Sequence, residues 1–370
     1  MAKKVLVTGL SGQDGSYMAE LCLKLGHQVF GMVRRTSTNN SINYKHLIGH
    51  PNFKVVYGDL IDGFSIDSLV REIQPDYFIN FAAQSFVGCS WEIPEETFLA
   101  GAVGVLKCLE AIRKNAPACR FYNAGSSEQF GDVLYSPQDI KHPFRPRSPY
   151  GAAKVAAHSL VKVYRESYNL YAIQGILFNH ESERRGEEFV TRKITKGISR
   201  VVQAIQNGEP FEPVYLGNMD AKRDWSHSED FVEGVWRMLN QELYMADKYN
   251  EYLPRFIKEY VLSSNETHSV REFVDKACIY AGLEGSWVGS GVEEKFVLNN
   301  YLYDTCDIKS NTVVAVDPKF FRPAEVELLL GDSTPARQEL GWEPKISFDN
   351  LVKRMVEADL PYGKEKTQTK

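Results

Sequence analysis

Short apolar runs alternate along the chain with stretches in which apolar residues recur every three or four positions. "KKVLVTGL" is an apolar run closed by glycine and predicts a buried strand. "GSYMAELCLKLGH" has helical spacing and ends at Gly26, a glycine helix stop. "QVFGMVRR" and "FKVVYGDL" predict the second and third strands, and "IDSLVREIQP" a helix closed by Pro75. "DYFINFAA" predicts a fourth strand, followed by the helical "TFLAGAVGVLKCLEAIRKN". "RFYNAGSS" predicts a fifth strand, "YGAAKVAAHSLVKVYRESYN" a long helix and "YAIQGILFNH" a sixth strand. Strand and helix alternate in this way for about 180 residues, the signature of a parallel sheet with right-handed crossovers. The fold class is α/β, a doubly wound parallel sheet.

Beyond residue 180 the alternation weakens. "GEEFVTRKITKGISRVVQAIQNG" and "SEDFVEGVWRMLNQ" read as helices, "PVYLGNMDAKRDWSH" as strand and loop, and the last third mixes shorter elements. The pattern predicts a Rossmann domain over 1–179, completed by segments around 228–262. A smaller mixed α/β lobe takes 180–227 and 263–360, and 361–370 is a polar tail. A chain of 370 residues is long for one compact domain and suits two lobes or one enlarged domain.

Composition narrows the function. A formal net charge of −5 offers no basic footprint for nucleic acid. No apolar run approaches the roughly 18 residues that span a bilayer, and "MAKKVLVTGL" lacks the apolar core of a signal peptide. Cys22, Cys89, Cys108, Cys119, Cys278 and Cys306 have no C-x-x-C spacing, so they read as reduced thiols of a cytoplasmic protein without a metal site.

After the first strand comes "GLSGQDG", with Gly9, Gly12 and Gly15 in G-x-x-G-x-x-G spacing. Glycines there permit a tight turn and let backbone amides approach a pyrophosphate at a helix N-terminus. An NAD site carries an acidic residue about 20 positions further on, for the ribose 2′-OH. Arg34 and Arg35 stand there instead, and two guanidinium groups suit a 2′-phosphate. The favoured cofactor is NADP(H), against a solvated basic loop. Asp59 after the third strand suits an adenine amino group or a helix N-cap.

The fifth strand ends in "NAGSSEQFG", and ligands of a doubly wound sheet lie beyond the carboxyl ends of its strands. Ser126, Ser127 and Glu128 then lie over the site. "SPYGAAK" puts Tyr150 and Lys154 on one face of the following helix. A phenol with a pKa of about 10 is a poor base, and a neighbouring ammonium favours its phenolate. Ser126 can share the proton of a substrate alcohol.

The motifs "TGLSGQDG", "NFAAQS" and "YGAAK" resemble the extended short-chain dehydrogenase/reductase superfamily. Longer stretches are similar to the GDP-mannose 4,6-dehydratase family: "TGLSGQDGSYMAELCLKLGHQVFGMVRR", "ILFNHESERRGEEFVTRKI", "YLGNMDAKRDWSHSEDFVEGVW", "ETHSVREFV" and "FFRPAEVELLLGDSTPARQELGW". The similarity runs from about residue 3 to 360, over most of the chain.

This resemblance implies a catalytic set of Ser126, Glu128, Tyr150 and Lys154. Tyr150 would deprotonate the sugar O4 as hydride leaves C4 for NADP⁺, and Glu128 would take the C5 proton and help water leave C6. The hydride would return to C6, so that the net reaction is dehydration. The implied cofactor contacts are Gly9, Gly12, Gln13, Asp14 and Gly15, with Arg34, Arg35, Asp59 and Leu60. Ala82, Ala83, Gln84, Ser85, Tyr150, Lys154, His180 and Arg185 complete them. The GDP-sugar would meet Ser85, Ser127, Glu128 and Asn179, with Arg192, Lys193, Arg223, Arg322 and Glu325.

The chain departs from the family pattern in four places. Ser126 replaces a threonine, Glu183 a proline, and Glu96 a tyrosine common beside the cofactor. "NNYLYDTCDIKSNTVVAVDP" is longer than expected. These departures leave open a 4,6-dehydratase of another GDP-sugar such as GDP-manno-heptose, an epimerase or reductase of the same fold, or a non-enzymatic sensor of NADP(H). The polar loop "TSTNNSINYKHLIGH" is too long to be a simple connection. By resemblance it reaches a neighbouring subunit, implying a homotetramer, with a dimer the alternative.

Overall fold

The apolar run KVLVT forms β1 (Lys4–Thr8) in a computed structural model that describes residues 2–38, 40–244, 257–299, 311–321 and 328–361. After it come α1 (Gln13–Lys24), β2 (Gln28–Val33), β3 (Phe53–Tyr57), α2 (Gly63–Ile73) and β4 (Tyr77–Asn80). Then follow α3 (Pro94–Phe98), α4 (Gly104–Asn115), β5 (Arg120–Ala124), α5 (Pro149–Tyr168) and β6 (Ala172–Leu177). The chain continues through β7 (Asn179–Glu181), α6 (Val190–Asn207), β8 (Val214–Leu216), β9 (Lys222–Arg223), β10 (Trp225–His227) and α7 (Ser228–Leu239). The last elements are β11 (Val261–Leu262), β12 (His268–Ser269), α8 (Val270–Tyr280), β13 (Gly285–Val288), β14 (Lys295–Leu298), β15 (Thr312–Val316), β16 (Leu328–Leu329), α9 (Thr334–Leu340) and α10 (Phe348–Asp359).

Two compact units result: Met1–His180 with Ser226–Glu266 and Leu329–Lys345, and Glu181–Trp225 with Thr267–Leu328 and Ile346–Lys370. The first is built on a seven-stranded sheet in the order β11-β6-β5-β4-β1-β2-β3, every pairing parallel. The order reverses between β1 and β4, which marks the crevice where a doubly wound sheet takes its ligand. All of β4 and β6 is buried, as strands covered on both faces must be. Phe78 and Phe121 meet edge-on at 5.5 Å within one of its two apolar cores.

The second unit is built on the sheet β13-β14-β15-β8, antiparallel except for β15 against β8. Its core gathers Ile194, Ile198, Trp225, Phe273, Phe348 and Met355. Among the described residues no helix is long and apolar enough to cross a membrane.

Two sequence expectations differ from the structure. The stretch Leu329–Lys345 joins the first unit, not the smaller lobe, because Ala336, Leu340 and Trp342 bury in the cluster that holds Val5, Met18 and Val235. The helix expected over "TFLAGAVGVLKCLEAIRKN" contains a π-helical turn, Leu99–Val103, between α3 and α4. The long polar loop has structure of its own: Lys45–Leu47 is a 3₁₀ turn, Tyr44 and Leu47 are buried, and Asn43 donates to the Ser11 carbonyl at 2.9 Å.

Candidate active site

In the first unit the loop after β1 is shaped by its three glycines. Gly9 has φ +69°, and a Cβ there would stand 2.9 Å from the Ala82 nitrogen. A Cβ on Gly15 would stand 2.2 Å from the Gly9 carbonyl oxygen, so no side chain fits. Gly12 donates its N–H to that carbonyl at 2.9 Å and caps α1 without a side-chain bond. The amides opening α1 are thus presented as a backbone cradle suited to a pyrophosphate.

Three residues named from the sequence as cofactor contacts converge behind this cradle. His180 Nε2 lies 3.0 Å from Asp14 Oδ2, and its Nδ1 lies 2.8 Å from the Phe178 carbonyl. Gln13 Nε2 donates to the His180 carbonyl at 2.8 Å. The His180 ring stacks on Phe231 at 4.5 Å. Ser228 donates to Asp14 Oδ1 at 2.5 Å and was missed in the sequence, where "SEDF" signals only a helix start.

Arg34 and Arg35 are exposed at the end of β2. Arg34 lies 4.0 Å from Glu96, the residue that departs from the family pattern. Asp59 is not the helix cap that its sequence position allowed: Asp62 caps α2, accepting from Phe64 N at 3.1 Å. Asp59 instead accepts from Ile61 N, with Leu60 buried beside it. Ala82 donates its N–H to Thr8 Oγ1 at 3.2 Å, and Gln84 Nε2 donates to the Phe86 carbonyl. Ala83 is half-buried and Ser85 exposed.

The candidate reacting groups sit on two adjoining turns of the same unit. Ser126 caps the 3₁₀ turn Ser127–Gln129, its Oγ accepting from Glu128 N at 3.3 Å. Ser127 and Glu128 are buried. Ser148 caps α5, with Pro149 at its first position, and Tyr150 and Lys154 follow one turn apart. A Cβ on Gly151 would stand 2.6 Å from the Glu128 carbonyl oxygen, so glycine permits this approach of turn and helix. Lys154 Nζ is 5.5 Å from the centre of the Tyr150 ring and donates to the Ala124 carbonyl at 2.7 Å. Burial pulls the Lys154 ammonium down to about 8, with Asp14 opposing that fall.

Asn179 lies on β7, half-buried. In the second unit the candidate cations are already held. Arg185 Nε is 3.1 Å from Glu181, and its guanidinium lies 3.5 Å over the Phe189 ring. Arg192 pairs with the buried Asp359 at 2.8 Å and donates to the Glu183 carbonyl. Glu183 itself pairs with Arg354 at 3.0 Å. Lys193 Nζ is 3.3 Å from the centre of the Phe320 ring; burial and then Lys319 bring it down to about 8, against the pull of Asp317. Arg223 is buried and donates to the Lys222 carbonyl. Arg322 and Glu325 lie outside the described residues, as do 300–310 of the long insertion, whose end forms β15.

A parallel sheet of this order, a glycine cradle after β1 and Tyr-x-x-x-Lys on the helix after β5 define a class: the extended short-chain dehydrogenase/reductases. A dTDP-glucose 4,6-dehydratase from Bacillus anthracis solved with NAD shares the fold, with TM-score 0.72 at 20% identity over 99% of this chain and 98% of that one. The family model for GDP-mannose 4,6 dehydratase matches residues 6–355. A GDP-mannose 4,6-dehydratase of Vibrio cholerae is 44% identical over 97% of this chain and 94% of its own length. The Homo sapiens GDP-mannose 4,6 dehydratase is 40% identical over 96% and 91%. The chain belongs to the GDP-mannose 4,6-dehydratase family.

Proposed function

We propose that the chain converts GDP-mannose to GDP-4-keto-6-deoxymannose with loss of water, using NADP. The observation that carries this reading is the adjoining of two turns: one bears Ser126 and the buried Glu128, the other Tyr150 and, one helical turn on, Lys154. The glycine turn, where a Cβ at Gly9 or Gly15 would press on backbone, presents the first amides of α1 and suits a dinucleotide. Bound there, NADP⁺ supplies a hydride acceptor for C4 and a donor for C6, and is regenerated in the cycle.

The chain's own residues do the rest. Tyr150 takes the proton from O4, and the Lys154 ammonium favours the phenolate that makes this work near neutrality. Ser126 hydrogen-bonds the same oxygen. Glu128 removes the proton at C5, made acidic by the C4 ketone, and gives a proton to the oxygen leaving C6. Arg34 and Arg35 select the 2′-phosphate of NADP through charge-assisted bonds. In the second unit Lys193 and Arg223 are the proposed anchors for the diphosphate, with Arg322 and Glu325 for the rest of the nucleotide. The favoured assembly is a cytoplasmic homotetramer, tested by light scattering.

The deciding experiment is incubation with GDP-mannose and with GDP-manno-heptose separately, followed by product mass. Loss of one water from GDP-mannose without net NADPH supports the reading, and loss from the heptose alone changes the substrate. Glu128→Gln should keep NADPH binding while dehydration falls about 100-fold or more, the scale of a lost acid/base. Near-normal dehydration would remove Glu128 from its role.

A further inference from the structure

A row of buried side-chain hydrogen bonds crosses the sheet beneath the reacting turns. Thr8 Oγ1 donates to Asn80 Oδ1 at 2.5 Å, Asn80 Nδ2 to Asn123 Oδ1 at 2.7 Å, and Asn123 Nδ2 to Gln174 Oε1 at 2.6 Å. These four residues are direct partners in register on β1, β4, β5 and β6, so the row follows the sheet itself. Gln174 Nε2 then donates twice, to Gln129 Oε1 at 3.1 Å and to the Lys154 backbone carbonyl at 3.0 Å. Gln129 Oε1 also accepts from Ser126 N at 3.0 Å. None of the five side-chain partners is more than 2% exposed.

Such a row, on central strands of a parallel sheet and toward their carboxyl ends, takes positions where Val or Ile would bury without polar cost. It runs in one sense, each amide nitrogen donating to the next oxygen, and it ends on two backbone points. One is the amide of Ser126, on the turn bearing Glu128. The other is the carbonyl of Lys154, on the helix bearing Tyr150. The two hydrogens of a single Gln174 amide therefore join the turn to the helix. The close approach of Gly151 to the Glu128 carbonyl brings the same two elements together at a second point.

We infer that Gln174 and Gln129 are positioning residues, a clasp that sets the separation between the Ser126–Glu128 turn and the Tyr150–Lys154 helix. The inference rests on the catalytic roles proposed above for those four residues. Gln129 acts through its oxygen, and Gln174 through its two N–H groups. An error of about 1 Å between reacting groups costs on the order of 100-fold in rate. The clasp therefore acts on turnover and leaves ground-state binding alone.

The test compares Gln174→Met, Gln129→Met and Gln129→Glu with wild type. The two methionine variants should lose about 100-fold in kcat, with KM for GDP-mannose and NADPH affinity held within about threefold. Gln129→Glu keeps an oxygen for both donors and should recover most of the lost kcat. Parallel losses in kcat, NADPH affinity and thermal midpoint, unrelieved by Gln129→Glu, would reduce the row to a packing role and overturn the inference. So would unchanged kcat in either methionine variant. If the wild-type chain does not dehydrate GDP-mannose, it is the functional reading that fails. The clasp is then decided by amide hydrogen exchange at Glu128 and Gln129: faster exchange in Gln174→Met supports it, and unchanged exchange overturns it.

Discussion

Lys154 is a buried ammonium brought down to about 8, first by burial, and Asp14 is the carboxylate that holds it from falling further. The protonated form is the one that favours the Tyr150 phenolate, so turnover should decline as pH rises through about 8. Asp14→Asn removes the opposing charge and should move that alkaline limb to lower pH; a pH profile of kcat reads it. Glu96 faces Arg34 at 4.0 Å and competes for the guanidinium proposed to bind the 2′-phosphate. Both side chains are exposed, so the effect is small. Glu96→Gln should tighten NADP⁺ about two- to fivefold and leave NAD⁺ unchanged, as measured by titration of both cofactors. At this scale the glycines and the Tyr-x-x-x-Lys pair were legible because their spacing is local. Ser228 on Asp14, Asp359 on Arg192 and Glu183 on Arg354 were not, since each pairing joins residues far apart in sequence.

The glycine cradle proposed for the pyrophosphate is a property of an element, the tight turn from β1 into α1. A methyl group on Gly15 would press on the Gly9 carbonyl at 2.2 Å, and backbone cannot move aside as a side chain can. Gly15→Ala should weaken NADPH about tenfold or more, read by fluorescence titration, with smaller effects on the core. The strands and helices of the first 180 residues were legible because period and capping are written in neighbouring residues. Ser148 with Pro149 opens α5, and Asn169, at φ 57°, ends it. The loop after β2 is polar and, by its length, more than a simple connection. Its Tyr44 and Leu47 bury into the first unit's core all the same, a contact that a mostly polar stretch with scattered apolar residues does not announce.

Across the whole first unit, Glu259 ties α5 to the segment leading into β11. It lies 3.1 Å from His158 Nε2 and 2.8 Å from Arg165 NH1. Burial alone would raise this carboxyl, but its bonds to His158 and Arg165 outweigh that and hold it below the usual range. A depressed carboxylate adds stability above its unfolded pKa of about 4.3, and that stability is lost as pH falls through the folded value. Glu259→Gln should cost about 3 kcal/mol at pH 7, because the Arg165 charge stays buried. The difference should shrink in acid, as urea unfolding at several pH values would show. The sequence by itself determined the succession of strands and helices along the first 180 residues, the glycine turn, and which residues occupy the end of β5 and the start of α5. These depend on interactions within a few residues along the chain. Only the tertiary structure decided that Leu329–Lys345 packs with the first unit, and that Thr8, Asn80, Asn123 and Gln174 fall in one row. Strand order and register are set by burial summed over the sheet, and a one-residue slip would break that row.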